Sequence, residues 1–282
     1  MKYIFLISPN NSGTTIASQF ITSKLKNCYL PPKGNNEGLK FKKIWRTIKS
    51  ERWNPDVPIN YELAKEIWEK RALQNQCTSF FEASPPNLCH VEQIVREFQD
   101  CTIIFWMSNP YLYIGSCVNR YGKKEFHDAV NRATDEWIKK AKFQIQNHFI
   151  LPKAPQLNYE GFCEEPDKYL QEKIGNILEL QEIPGQIRGK NTTKISTVMD
   201  MTPKSLAFLG KSGLSIISQK LQENEEIMDH FKYQTISPDE ASSILESNRN
   251  QAEAGTQDRL EYEKKAMRKN AKKSNKLKPI IT

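Results

Sequence analysis

The run Ser8-Pro9-Asn10-Asn11-Ser12-Gly13-Thr14-Thr15 holds the residue types in this chain best suited to chemistry. The hydroxyls of Ser12, Thr14 and Thr15 surround a glycine, where an apolar segment ends and a helical pattern opens. Backbone N–H groups converge at a helix N-terminus and the helix dipole is positive there, so such a run suits a bound anion. Gly13 would let the backbone approach that anion closely. The spacing follows the phosphate-binding pattern G-x-x-x-x-G-K-[ST], with Ser8 at the first glycine and Thr14 where the lysine belongs. Without that lysine, and with no evident Mg²⁺-binding aspartate ending a strand, hydrolysis of ATP or GTP is disfavoured. Ser-Gly-Thr-Thr alone is also a common helix start. Its place directly after the first apolar segment is what favours the anion.

Periodicity supplies the elements that must position this run. Residues 3 to 7 read as a short buried strand; the polar Ser8-Pro9-Asn10-Asn11 that follows does not suit a signal peptide. From Gly13 onward Ile16, Phe20 and Ile21 share one helical face. Residues 28 to 58 are rich in Pro, Gly, Asn and Lys and read as an excursion from the sheet, followed by a helix over 61 to 73. Thr78 to Glu82 predicts a second strand, Ser84 to Phe98 a helix, and the almost wholly apolar Thr102 to Met107 a strand buried on both faces. Helices are expected to about Arg120, over Glu125 to Asn147 and over Pro166 to Leu178, with a last strand at Gln156 to Tyr159. Residues 182 to 202 read as loop, and short helices follow over 203 to 209, 212 to 221 and 223 to 231. Strands alternating with helices imply a three-layer α/β fold, a doubly wound, mostly parallel sheet with helices on both faces.

Charge adds little to that core. The formal net charge is +8, but from Lys264 to the C-terminus there are eight basic residues and no acidic one, so residues 1 to 263 are formally neutral. The net charge therefore gives no support for a basic nucleic-acid groove in the body, and no specific nucleic-acid partner is expected. The basic tail is expected to be helical or disordered, for solubility or loose contact with anionic surfaces. No apolar run approaches the roughly 20 residues of a membrane span. Six cysteines (28, 77, 89, 101, 117 and 163) show neither CxxC nor zinc-ligand spacing, which suits reduced thiols in a cytoplasmic protein.

Five segments, in order, resemble the sulfotransferases that use 3′-phosphoadenosine 5′-phosphosulfate. Asn11-Ser12-Gly13-Thr14-Thr15 is similar to the family's lysine-free loop P-[RK]-S-G-T-[TS], and Phe81-Glu82-Ala83-Ser84-Pro85-Pro86-Asn87-Leu88 to F-x-E-K-[ST]-P-x-N-L. Asn109-Pro110 with Ser116 resembles R-N-P…S, which puts Ser108 at the arginine. Tyr159-Glu160-Gly161-Phe162 with Glu165-Pro166 resembles Y-E-D-L…D-P. Arg188-Gly189-Lys190 and Met228 to Tyr233 are similar to the late K-G loop and M-x-x-F-G-Y ending.

The resemblance implies one domain over 1–235, with the excursion 28–75 forming an acceptor pocket around Trp45, Trp53, Tyr61 and Trp68, and a tail over 236–282. It implies a donor site at Asn11, Ser12, Gly13, Thr14 and Thr15, with Ser108, Ser116, Arg188 and Lys190 toward the 3′-phosphate and Tyr159 against the adenine. Glu82 is the implied general base, with His90 and His127 weaker candidates, and no metal is implied. The acceptor would be a hydroxyl or amine on a small molecule or carbohydrate. Three basic family residues are replaced, by Asn11, Ala83 and Ser108, so other cations must serve: Arg120, Arg188, Lys190, Lys24 or Lys42. A non-catalytic nucleotide-binding relative and a small-molecule kinase are the alternative functions.

Overall fold

The computed structural model describes residues 1–32, 35–121, 125–183, 185 and 198–276. In chain order the elements are β1 (Lys2–Ile7), α1 (Thr14–Ser23), β2 (Cys28–Tyr29), α2 (Lys42–Ile48), α3 (Tyr61–Gln74), β3 (Ser79–Glu82), α4 (Val91–Glu97) and β4 (Cys101–Met107). Then come α5 (Pro110–Tyr121), α6 (Phe126–Ile150), β5 (Gln156–Asn158), α7 (Tyr159–Glu164), α8 (Pro166–Ile174), α9 (Thr202–Gln222), α10 (Glu225–Phe231), α11 (Pro238–Ser247) and α12 (Arg249–Lys276). The chain forms two compact units: Met1–Ser108 with Lys140–Asp200, and Asn109–Lys139 with Met201–Thr282.

The first unit is an α/β domain around one parallel sheet of order β2-β3-β1-β4-β5. Phe5 pairs in register with Glu82 of β3 and Ile103 of β4. β1 is flanked on both sides, which explains its unbroken apolar run. Alternation sends Tyr3 and Phe5 to one face, where they meet Trp68 of α3 and Phe98. On the other face Trp106 of β4 packs against Phe162 of α7, which also meets Phe20 of α1, at ring separations of 5.4 and 5.3 Å. Each such buried ring contributes roughly 2–3 kcal/mol of hydrophobic free energy. The chain leaves β1 toward β2 and leaves β4 toward β5, in opposite directions. The carboxyl ends of β1 and β4 therefore form the switch point where parallel sheets build ligand sites.

Two local departures from the periodicity have simple causes. The helix expected from Ser84 to Phe98 is a 3₁₀ turn over Pro85–Cys89 and then α4, with His90 (φ −132°) between them. Pro86 disfavours the α conformation at Pro85 before it, and the segment opens as a 3₁₀ turn. β2 was hidden in the excursion because two residues at a sheet edge show no period.

The second unit is helical. α5, α11 and α12 all pack on α9. Gly115 of α5 sits against Ser205, where a Cβ would lie 2.7 Å from the serine's own Cβ. Phe126, Phe208 and Tyr262 form a triangle of rings about 6 Å apart. α9 is interrupted at Gly210 (φ 59°, ψ 179°), between the two short helices expected there. The segment from 236 is helical over α11 and α12, and α11 opens on a capping box of Ser237 and Glu240.

Candidate functional site

The loop between β1 and α1 has the backbone of an anion cradle. Asn11 (φ 58°) and Gly13 (φ 76°) adopt the left-handed conformation, which asparagine tolerates and glycine accepts freely. Gly13 is required for a second reason: a Cβ there would lie 2.3 Å from Cδ2 of Tyr159. α1 begins at Thr14 with no side-chain cap, and the amides of Ile16 and Ala17 both donate to the Gly13 carbonyl, at 3.0 and 3.1 Å. The Thr14 and Thr15 amides precede these first intrahelical bonds. Ser8 and Ser12 are completely buried, and their hydroxyls find no hydrogen-bond partner among the described residues. Leaving a buried hydroxyl unpaired costs about 1–3 kcal/mol. Both belong to the loop that leads into α1, and such hydroxyls suit the oxygens of a phosphate or sulfate group. Trp106 holds the loop from the sheet side, its indole N–H donating to the Ser12 carbonyl at 2.6 Å.

The residues of α6 that belong to the first unit carry a polar stripe over the switch point. Lys140, Gln144 and Asn147 follow helical spacing and are all buried. The Gln144 amide donates to the Ile7 carbonyl at the end of β1 (2.9 Å) and reaches the Trp106 carbonyl of β4 (3.4 Å). Asn147 donates to the Leu88 carbonyl, at 2.9 Å. Lys140 places its ammonium 2.7 Å from Oδ1 of Asn10 and 4.5 Å from the centre of the Trp53 ring.

Glu82 ends β3 beside β1, and its carboxylate is fully enclosed. Oε2 accepts from the Gly38 amide (2.7 Å), while Oε1 accepts from the Ser84 amide (2.9 Å) and Nδ2 of Asn87 (3.0 Å). Asn87 in turn accepts from the Tyr61 hydroxyl, at 2.7 Å. Burial raises the Glu82 pKa to about 7, against the opposing effect of these hydrogen bonds. Glu82 thus ties the excursion to the sheet while holding a pKa suited to proton transfer near neutrality.

The other expected residues divide. Ser108 is buried at the end of β4, and Ser116 lies half-buried in α5, in the second unit. Tyr159 packs its ring on Gly13 and donates its hydroxyl to the Met199 carbonyl at 2.8 Å. Arg188 and Lys190 lie outside the described residues. Lys24 is at the far end of α1 from the loop, ion-paired with Asp167 and bonded to the Ile183 carbonyl (2.7 Å). Lys42 and Arg120 are exposed. His90 is buried, which lowers its pKa, and it is hydrogen-bonded with the Arg52 backbone; His127 is exposed. Tyr61 and Trp68 belong to the core, whereas Trp45 and Trp53 are half-buried beside Arg52 and Lys140.

Lys140 is not legible from the loop motif, which lies 130 residues away in the chain. Its signal was present: with Trp137, Ala141 and Gln144 it shares a face that is otherwise apolar or capable of hydrogen bonding.

The solved structures similar to this chain include the following three. A sulfotransferase domain from the curacin biosynthetic pathway is 16% identical, over 82% of this chain and 97% of that one, with a TM-score of 0.49. A sulfotransferase from Alicyclobacillus acidocaldarius is 14% identical, over 78% and 95%, with a TM-score of 0.46. The sulfotransferase domain of the Synechococcus PCC 7002 olefin synthase is 16% identical, over 65% and 74%, with a TM-score of 0.42. All three are sulfotransferases or domains of that kind. No protein-family model and no curated protein matches the chain. No helix among the described residues is long and apolar enough to cross a membrane.

Proposed function

We propose that this chain binds 3′-phosphoadenosine 5′-phosphosulfate at the Ser8–Thr15 loop and transfers its sulfuryl group to a hydroxyl or amine acceptor. The observation that carries this reading is the loop itself. It lacks a lysine, takes left-handed turns at Asn11 and Gly13, and opens α1 with two buried hydroxyls that lack partners among the described residues. The amides of Thr14 and Thr15, with the hydroxyls of Ser8, Ser12, Thr14 and Thr15, hold the phosphosulfate end. Tyr159 keeps that backbone in place through its contact with Gly13.

The donor supplies an activated sulfuryl group: its sulfur bonds the acceptor oxygen or nitrogen while the bond to the phosphate breaks, the electron pair leaving on the phosphate oxygen. As in phosphoryl transfer, the protein contributes mainly alignment and stabilisation of charge. Glu82 takes the acceptor's proton, exchanging the Gly38 N–H at Oε2 for the acceptor's O–H or N–H. Its pKa of about 7 suits that role near neutral pH. A non-catalytic, nucleotide-binding role is the second reading, favoured by the three protein donors that enclose Glu82.

A thermal-shift titration with adenosine 3′,5′-bisphosphate, beside ATP and GTP with Mg²⁺, tests the site. A ligand at a hundredfold excess over its Kd adds about 2.7 kcal/mol of stability, a rise of several degrees for a chain of this size. The bisphosphate alone is expected to give that rise. A rise with ATP or GTP alone would point to a kinase, and no rise with any of them would refute the donor site. Glu82→Gln is then expected to abolish turnover and keep bisphosphate affinity; unchanged turnover would remove Glu82 as base.

A further inference from the structure

We propose that Lys140 supplies, from α6, the positive charge that the loop lacks at Asn11 and Thr14, and that it recognises the 5′-phosphate end of the nucleotide. This rests on the donor-site reading above and names the group that neutralises the ligand there.

The family-like loop carries its basic residue in sequence, one position before the serine. Here that position is Asn11, in a left-handed turn. The turn is preceded by Asn10, and the Asn10 side chain accepts a hydrogen bond of 2.7 Å from the Lys140 ammonium. Lys140 is only 7% exposed, so its charge acts in a medium of lower dielectric than water. Trp53 turns its ring face to the same ammonium at 4.5 Å, an arrangement that favours a cation. One helical turn further along, Gln144 grips the ends of β1 and β4. The lysine is therefore set at a fixed height above the strand ends from which the loop departs. Lys24, the other buried lysine, caps the far end of α1 from the loop, where it is ion-paired with Asp167. A lysine held on one helix and an amide on the loop give the same recognition as a lysine within the loop, because charge position matters more than chain position.

The consequence is selective. Lys140 bears on the group at the loop, so its loss should weaken ligands that carry a 5′-phosphate and spare adenosine 3′-monophosphate. The test is calorimetric titration of wild type, Lys140→Met, Lys140→Arg and Asn10→Asp with adenosine 3′,5′-bisphosphate and with adenosine 3′-monophosphate. Asn10→Asp sets a carboxylate against the ammonium at a half-exposed position, so it reports on the charge even where Lys140→Met lowers stability. Lys140→Met and Asn10→Asp are expected to weaken bisphosphate binding by roughly 10- to 100-fold. Lys140→Arg is expected to recover most of it, and monophosphate affinity is expected to stay within twofold throughout. Wild-type binding of the bisphosphate with Lys140→Met and Asn10→Asp unaffected would overturn the role of Lys140 alone. Equal loss of both ligands would also overturn it, as the mark of a structural role. No binding of the bisphosphate by wild type would refute the donor site, and this role with it.

Discussion

Replacing Glu82 by glutamine should change the way stability depends on pH, and the size of the change follows from the enclosure of its carboxylate. Glu82 has a pKa of about 7 in the folded chain against 4.5 for an unperturbed carboxyl. Between those values the folded state keeps a proton that the unfolded state has released. The folded state thus binds more protons, and stability falls as pH rises through that window. The accumulated loss is about 3 kcal/mol, complete above the folded pKa and absent below the unfolded one. Glutamine cannot titrate, so this loss vanishes in the variant. It carries a cost of its own that does not vary with pH. Its NH₂ must face either the Gly38 amide or the pair formed by the Ser84 amide and Nδ2 of Asn87, donor against donor. Such a mismatch costs about 1–3 kcal/mol. Glu82→Gln should therefore be less stable than wild type at pH 5, and the gap should close or invert by pH 8. Urea unfolding of both proteins at pH 5, 6, 7 and 8 measures it. His90 titrates in both proteins and cancels in the difference. A gap that stays constant within about 0.5 kcal/mol over that range would refute the raised pKa, and with it the fitness of Glu82 as a base at neutral pH.

Two further substitutions test the loop. Gly13→Ala places a Cβ 2.3 Å from the Tyr159 ring at a residue with φ 76°, and is expected to cost about 1–3 kcal/mol in urea unfolding; the cost should shrink in a Tyr159→Ala background, where the collision is removed. Trp106→Phe keeps a ring against Phe162 but leaves the buried Ser12 carbonyl without its 2.6 Å donor, so it should lower stability by about 1–3 kcal/mol and weaken bisphosphate binding.

Much of the first unit's fold was legible because its strands are buried on both faces. Residues 3 to 7 and 103 to 107 are continuous apolar runs, each followed directly by polar or proline-containing loops, and each lies in a central strand of the sheet. β2 could not be read the same way. Two edge residues are held by pairing to β3, a long-range contact with no local pattern. α11 carries a local signal, since Ser237-Pro238-Asp239-Glu240 is a capping box with proline at the first helical position. The basic, poorly apolar composition left helical and disordered as alternatives there, and α12 packs on α9 with Tyr262 against Phe208 and a close approach at Gly255.

The candidate site was less legible than the fold, for a reason that lies in its charge. A motif read along the chain registers a cation only at its own position, so Asn11, Ala83 and Ser108 register as three losses. The structure brings residues together through space. Lys140 lies 130 residues beyond Asn10 and reaches it because α6 crosses the end of β1. Burial then acts on the two charged candidates in different ways. It brings the Lys140 ammonium against an amide oxygen and an aromatic face, and it raises the Glu82 pKa until the carboxyl can exchange a proton near neutral pH. Neither effect is encoded by the residue types alone. Both depend on the excursion, which supplies Gly38 above Glu82 and Trp53 beside Lys140. Residues 28 to 58 read in sequence as an excursion from the sheet, and they contribute a contact to each of the two groups on which the proposed transfer depends.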